Sequence, residues 1–201
     1  MLLAIDTSAG TSVAIVDRDR GVLAARDSAD TRGHAEIIGT FIAECLIESG
    51  ISVDELSGVV AGMGPGPFTG LRVGIAAART FALGAGTAVI PVVSHDAVAF
   101  GRDEPTMVVT DARRREVYWS LYGPRDEQGL PTRLEGPALA KPDDLVTPHG
   151  FARIDAATIS AAQLGLLAEA MYLHERPFAA GEALYLRSPD VTMSAGPKRV
   201  S

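Results

Sequence analysis

The opening residues alternate between short apolar runs and turn-prone polar stretches. Residues 2–5 form an apolar run, and strand-like runs follow at 11–16 and 22–26, the latter two joined by a charged turn at 18–21. Short connections between consecutive strands are typical of an antiparallel meander. The pattern therefore predicts three hairpin-linked strands at the start of the chain.

Helical periodicity begins at His34 and ends at Gly50, where glycine favours the end of a helix. A buried strand at 56–61, a second helix from Leu71 to about Leu83 and a strand at 88–93 follow. Ser94 is a plausible N-cap for a helix beginning near His95. The order β-β-β-α-β-α-β-α predicts an α/β fold with a mixed sheet flanked by helices. It is the order of the actin-like/sugar kinase/Hsp70 (ASKHA) fold.

A second segment begins near residue 104. Its pattern predicts strands at 106–110 and 116–122 and a helix at 159–173, with only a weak strand and a helical turn between them. We therefore predict two lobes, an N-terminal lobe over 1–103 that carries the partner interface and a smaller lobe over 104–201. A Pro- and Ser-containing tail from residue 189 onwards is predicted to fray.

Composition limits the classes of function. The chain has 18 Lys and Arg against 25 Asp and Glu, a net charge of −7, which does not favour direct binding to a nucleic acid backbone. Cys45 is the single cysteine, so no intramolecular disulfide can form. The first residues lack the features of a signal peptide, and no apolar run approaches the roughly 18 residues of a membrane span. These observations predict a cytoplasmic protein.

The glycine- and proline-rich segment 62–70 runs directly into the second helix, whose free N–H groups could receive an anion. It matches neither the phosphate-binding P-loop nor the dinucleotide fingerprint, and its prolines remove backbone donors. A rigid strand-to-helix corner is favoured over a phosphate site. The helix that follows is apolar on nearly all sides, which implies that a second side of it is also buried. A partner chain is the simplest way to bury that side.

Few residues are arranged for catalysis. Asp6-Thr7-Ser8 stands where actin-like ATPases have an Asp-x-Gly turn, and a Cβ at Ser8 hinders the approach of a phosphate. Histidines with the spacing of a metal pair are absent from the sequence, as is the Gly-x-Ser-x-Gly elbow of a hydrolase. For the arginine turn at 113–115, a solvated hairpin tip is favoured over a contact with phosphate or RNA. The chain is therefore predicted to hold no metal and no catalytic group.

Five stretches, taken together and in this order, resemble the TsaB (YeaZ) family. They are Leu2-Leu3-Ala4-Ile5-Asp6-Thr7-Ser8 with Ser12-Val13-Ala14, Gly33-His34-Ala35-Glu36, the segment Gly64-Pro65-Gly66-Pro67-Phe68-Thr69-Gly70-Leu71-Arg72-Val73-Gly74, Asp111-Ala112-Arg113 with Glu116-Val117-Tyr118, and Tyr185-Leu186-Arg187. The sequence departs from the family pattern at Pro67, where serine is usual, and in the short region 123–158.

The resemblance implies a non-catalytic subunit that dimerises with TsaD and activates it. TsaD transfers a threonylcarbamoyl group to the adenosine beside the tRNA anticodon, and the small ATPase TsaE joins the pair. The resemblance thus implies that this subunit engages tRNA indirectly, through the complex. No intrinsic cofactor is implied, and whether ATP or ADP binds at the composite interface stays open.

The family forms its dimer surface with the first two helices. The resemblance therefore implies interface positions at His34, Ile38, Phe41, Ile42, Leu71, Gly74, Ile75, Ala78 and Phe81, and in the loop at Gly64, Gly66, Phe68, Thr69, Gly70 and Arg72. Asp6, Thr7 and Arg113 are the weaker candidates for contacts with a nucleotide or RNA. A charge introduced at Gly74 or Ala78 is expected to abolish complex formation and leave the fold mostly intact.

Three alternatives stay open from the sequence. The chain could be an actin-like ATPase or small-molecule kinase, a peptidase-like enzyme, or a homodimeric scaffold. The same apolar helices are expected to pair two copies when the partner is absent.

Overall fold

The computed structural model describes residues 1–187, which form two β-sheets and four α-helices. The predicted tail from residue 189 onwards lies outside the described residues. Within residues 1–187, no helix has the length and apolar character needed to cross a membrane.

The first sheet has five strands in the order β3-β2-β1-β4-β5. The first three strands pair antiparallel as a meander, while β1, β4 and β5 run parallel. Parallel pairing requires crossovers, and helices supply them here. The strands are β1 (Leu2–Asp6), β2 (Thr11–Asp17), β3 (Gly21–Ser28), β4 (Gly58–Gly62) and β5 (Ala88–Val92).

The second sheet repeats most of this plan with four strands in the order β8-β7-β6-β9. Its first three strands also pair antiparallel, and β9 lies parallel to β6. The strands are β6 (Thr106–Asp111), β7 (Val117–Tyr122), β8 (Arg133–Ala140) and β9 (Ala152–Asp155). Two mixed sheets with flanking helices confirm the predicted ASKHA-type α/β fold.

Three helices pack directly on the first sheet, and α3 lies between α4 and the second sheet. Helices α1 and α2 pack against one face of it and against each other, and α3 and α4 contribute to the apolar core on the opposite face. They are α1 (His34–Ser49), α2 (Phe68–Ala85), α3 (Ser94–Ala99) and α4 (Ala161–Leu173). The predicted end of α1 at Gly50 is confirmed, with φ of 67° at that glycine.

Two helix starts differ from the prediction. Helix α2 begins three residues earlier than Leu71, directly after Pro67, whose extended backbone forms the N-cap. Ser94 is the first residue of α3, and Val93 is the N-cap. The Ser94 hydroxyl donates instead to Asp6 of β1, at 2.5 Å, so its side chain joins two elements and does not cap its own helix.

Helix α4 belongs to the second segment of the chain yet packs on the first sheet. A side chain at Gly165 would meet Val16 and Ala4, so the helix approaches β1 and β2 closely. The N–H of Ala161 donates to the Ser12 hydroxyl on β2 at 2.7 Å. The division of the chain near residue 104 stays a prediction, and α4 crosses back over it.

Candidate functional site

Asp6, at the end of β1, is fully enclosed. Its Oδ1 accepts hydrogen bonds from the backbone and hydroxyl of Ser8, at 2.8 and 2.6 Å, and its Oδ2 accepts from Ser94. A side chain at Gly62 would overlap the carboxylate. Burial raises the pKa of Asp6, and the hydrogen bonds from Ser8 and Ser94 oppose that rise. This carboxylate therefore fastens β1 to its neighbours and offers no free face to a metal or a nucleotide.

Thr7 is held in the same way by the start of α2. Its hydroxyl donates to the carbonyl of Gly70 at 2.6 Å and accepts from the N–H of Gly74 at 2.9 Å. A side chain at Gly74 would collide with Thr7. The proposed contact of Asp6 and Thr7 with a nucleotide is thus corrected, because both polar groups are used inside the chain.

The loop before α2 lies directly on the first hairpin. A Cβ at Gly66 would come within 2.8 Å of the Cα and carbonyl oxygen of Ser8, which leaves no room for another group between the two segments. Gly64 and Gly66 are buried, and Gly64 donates to the Ser94 hydroxyl. The loop therefore occupies the turn at which an actin-like ATPase would hold phosphate.

His34 has an internal role. Its Nδ1 lies 2.7 Å from the Thr11 hydroxyl of β2, and its ring packs beside Gly70 at the start of α2. Burial lowers the pKa of His34. The imidazole thus joins α1, β2 and α2 within one chain.

Most of the predicted interface positions on the helices face the protein's own core. The stripe of α2 formed by Leu71, Gly74, Ile75 and Ala78 is buried, as are His34 and Ile38 on α1. Because these six residues already pack inside the chain, their assignment to a partner surface is corrected. Phe41, Ile42 and Phe81 are half-buried at the rim of that core and stay predictions.

The outward stripe of α2 was missed from the sequence. It contains Arg72, Ala76, Thr80 and Leu83, with Leu83 83% exposed. On α1 the matching outward positions are Gly39, Ala43 and Ile47, with Ile47 81% exposed. Their spacing of three or four residues was a readable signal, but small residues occupy both sides of α2. We call these seven residues the outer helix surface.

Three loop candidates lie at the surface near the start of α2. Thr69 is exposed, and the guanidinium of Arg72 stands 4.2 Å from the centre of the half-buried Phe68 ring. The Tyr185 ring lies 4.8 Å from that of Phe68. These contacts are favourable for cations and rings. The remaining loop candidate, Gly70, is buried.

Residues 179–187 form a C-terminal strap across both sheets. Ala179 donates to Pro91 of β5, and Leu184 donates to Met63 at 2.8 Å. Farther along, Arg187 donates to Ala112 at 3.2 Å, beside the turn between β6 and β7. The strap therefore brings the predicted C-terminal motif and the predicted arginine turn together.

That turn and the strap enclose a cavity of about 320 Å³. Arg113, one of the weaker candidates from the sequence, lines it together with Arg114, Arg187, Tyr118 and Tyr185. The start of α2 supplies the opposite wall, with Gly66, Pro67, Phe68 and Thr69. We call this cavity the arginine pocket. Within the described residues, no group of three or more His, Cys, Asp or Glu side chains is placed to hold a metal ion.

A protein-family comparison matches residues 21–176 to the family described as "TsaD: tRNA N6-adenosine threonylcarbamoyltransferase". An uncharacterized protein of Mycobacterium leprae is 37% identical over 94% of this chain and 55% of its own length. The "tRNA threonylcarbamoyladenosine biosynthesis protein TsaB" of Escherichia coli is 35% identical over 71% of this chain and 63% of its own length. The chain thus spans less than two thirds of the curated relatives it matches.

Solved structures agree on the fold. "YeaZ from Pseudomonas aeruginosa" is similar with a TM-score of 0.74 at 23% identity, over 92% of this chain and 99% of that one. A second Pseudomonas aeruginosa structure, described as similar to peptidase YEAZ, has a TM-score of 0.77 at 24% identity with the same coverage. At this identity the likeness concerns the fold alone.

Proposed function

Because the chain belongs to the family described as TsaD, tRNA N6-adenosine threonylcarbamoyltransferase, and within it to the TsaB (YeaZ) proteins, we propose that it is a non-catalytic subunit in the formation of threonylcarbamoyladenosine in tRNA. It binds a TsaD-like protein in the cytoplasm and holds it in the active conformation. A TsaE-like ATPase joins the pair, and tRNA is bound through the complex.

The observation that carries the non-catalytic role is the filled turn after β1. Gly66 lies on Ser8, and every oxygen of the Asp6 carboxylate accepts an internal hydrogen bond. An ATPase or kinase of this fold needs that turn free for phosphate, so this observation disfavours the kinase alternative. The chain holds no cofactor of its own for catalysis, and ATP or ADP binds where its surface meets its partners.

The outer helix surface is the proposed site for the TsaD-like partner. Ala76 and Ala43 are small and exposed, and Leu83 and Ile47 are large, apolar and almost fully exposed. Small residues let a second pair of helices approach closely, and the two large side chains gain burial on contact. A second copy of this chain offers the same pattern, so a homodimer forms in the absence of the partner.

Light scattering on the chain alone and mixed with the TsaD-like protein of the same organism tests this proposal. We expect a species with one copy of each chain to replace any homodimer. Ala76→Glu should prevent that species, because it places a charge in the centre of the outer helix surface. Ala157→Glu is the matched control, since Ala157 is an exposed alanine in the loop after β9.

The outcomes separate the candidate functions. A mixed species that forms equally well with Ala76→Glu would rule out this surface. A homodimer that persists unchanged beside free TsaD-like protein would favour the scaffold alternative. Turnover of ATP by the purified chain, or cleavage of a protein substrate without partners, would contradict the non-catalytic role.

A further inference from the structure

The arginine pocket has an excess of positive charge in an acidic chain. Four arginines, at 113–115 and 187, lie in or beside it, against the acidic residues Asp111 and Glu116. Neither acidic residue lines the cavity itself. The interior therefore presents cationic donors without an anion among its lining groups.

Two of the lining arginines are held in place by contacts within the chain. Arg187 donates to the Ala112 carbonyl at 3.2 Å and lies 3.4 Å from the Glu116 carboxylate. Arg113 donates to the Thr31 hydroxyl and lies 3.7 Å from Asp111. A guanidinium has five N–H donors, and the two contacts given for each arginine use only some of them. Donors therefore remain for a further group. Side chains positioned in advance lose less entropy when a ligand binds.

The backbone that carries these arginines is strained. Arg113, Arg114 and Arg115 have φ values of 65°, 51° and 62°, three consecutive residues in the left-handed region. This conformation costs roughly 1–2 kcal/mol for each residue with a Cβ. Strain of this kind persists where the surrounding structure imposes it, and it clusters at ligand sites.

The walls of the pocket contain aromatic rings as well as charge. Phe68 and Tyr185 lie with their ring centres 4.8 Å apart, and Tyr118 donates its hydroxyl to the Gly66 carbonyl at 3.3 Å. Arginines recognise phosphate through paired hydrogen bonds, and aromatic side chains provide surfaces on which a base can stack. The volume of about 320 Å³ is at the lower end of ligand pockets, which suits one nucleotide unit.

We propose that the arginine pocket binds the phosphate group of a nucleotide, either free or within an RNA strand, with Arg113 and Arg187 as its main donors. The inference rests on the proposed function in one respect, because a role in tRNA modification makes both sources of this group available. It places the phosphate beside the β6–β7 turn, in a cavity that the enclosed Asp6 carboxylate does not line.

Isothermal titration calorimetry on the full chain tests the proposal with AMP, an eight-nucleotide oligouridylate and glutamate as probes. We expect saturable binding of AMP, of the oligonucleotide or of both, and none of glutamate. Arg113→Gln should weaken binding at least about tenfold, because it removes a charge-assisted hydrogen bond. Arg115→Gln is the matched control, since Arg115 shares the turn and the left-handed backbone but does not line the pocket.

The two sources give different results. Oligonucleotide binding at least tenfold tighter than AMP binding assigns the site to RNA, and tighter or equal binding of AMP assigns it to a free nucleotide. The absence of saturable binding by both probes would overturn the proposal. Equal losses in Arg113→Gln and Arg115→Gln would also overturn it, because they would indicate general charge attraction. Since the chain is measured alone, failure here leaves the partner role untouched, and failure to bind the partner leaves this site untouched.

Discussion

Nδ1 of His95 on α3 lies 2.8 Å from the hydroxyl of Ser120 on β7. Nε2 of the same ring lies 2.9 Å from the hydroxyl of Thr110 on β6, so both ring nitrogens of a fully buried histidine are used between the two sheets. Next to it, Asp96 accepts a hydrogen bond from Tyr122 and lies 3.2 Å from Arg133. Helix α3 is thus bonded to the second sheet by buried polar groups.

This joint predicts a pH-dependent stability. Burial lowers the pKa of His95 to about 3 from its ordinary value of 6.5, so the unfolded chain binds a proton that the folded chain does not. The free energy of unfolding should therefore fall as the pH drops from 6.5 towards 3, by about 1.4 kcal/mol for each pH unit. Urea unfolding of the wild type and of His95→Gln between pH 4 and pH 7 measures the difference. Equal pH slopes in the two proteins would contradict it.

The enclosed Asp6 predicts a structural loss upon substitution. Asp6→Ala should lower the free energy of unfolding by about 2 kcal/mol or more, since buried donors of Ser8 and Ser94 lose their acceptor. Asp19→Ala should change it by less than about 0.5 kcal/mol, because Asp19 lies in an exposed turn. Denaturant unfolding of both variants measures the contrast. A fully stable Asp6→Ala protein would show that the carboxylate is not needed for folding.

Two glycines of α2 should respond to alanine in opposite directions. Gly74→Ala should cost about 1–3 kcal/mol, because its Cβ would overlap Thr7. Gly84→Ala should increase stability by up to about 1 kcal/mol, since nothing lies within 4 Å of a Cβ there and alanine favours the helix. Thermal unfolding measured by circular dichroism compares the pair. Stabilisation of both variants would contradict the close packing of α2 on β1.

Neighbouring positions on α2 should separate folding from binding. Ala78 is 0% exposed, so Ala78→Glu buries an unpaired charge and should destabilise the chain by more than about 3 kcal/mol. This result would correct the expectation that a charge there leaves the fold intact. Ala76→Glu should keep the wild-type melting temperature, because Ala76 is exposed. The melting temperatures of the two variants distinguish the two positions. A stable Ala78→Glu protein would contradict the packing of the Ala78 stripe of α2 against the sheet.

The element order was predictable because strands and helices have different apolar periods. The three-strand meander and the helix ending at Gly50 follow directly from those patterns. The orientation of α2 was only partly predictable, since Arg72 and Thr80 mark the outward stripe as polar. Ala76 and Leu83 on that stripe are small or apolar, like Leu71 and Ala78 on the buried one. Contact with the sheet decides between them, and a helical period carries no information about that contact.

The site residues also differ in how far the sequence could predict them. Local motifs located the glycine-rich loop and the turn at Arg113, because those features depend on neighbours in sequence. The enclosure of Asp6 depends on Ser94, 88 residues away, and the arginine pocket depends on Arg187, which lies 75 residues from Ala112. Contacts over such separations form only in the folded chain.

The crossing of α4 onto the first sheet has a consequence for synthesis on the ribosome. Strands β1 to β5 are all available once about 92 residues have emerged, but the helix that covers one face of their sheet ends at Leu173. Until then, apolar side chains such as Leu2, Val16 and Val60 lack this cover. The nascent chain therefore passes through a stage in which half of its main core faces water, and a chaperone that binds apolar strands would find its target there.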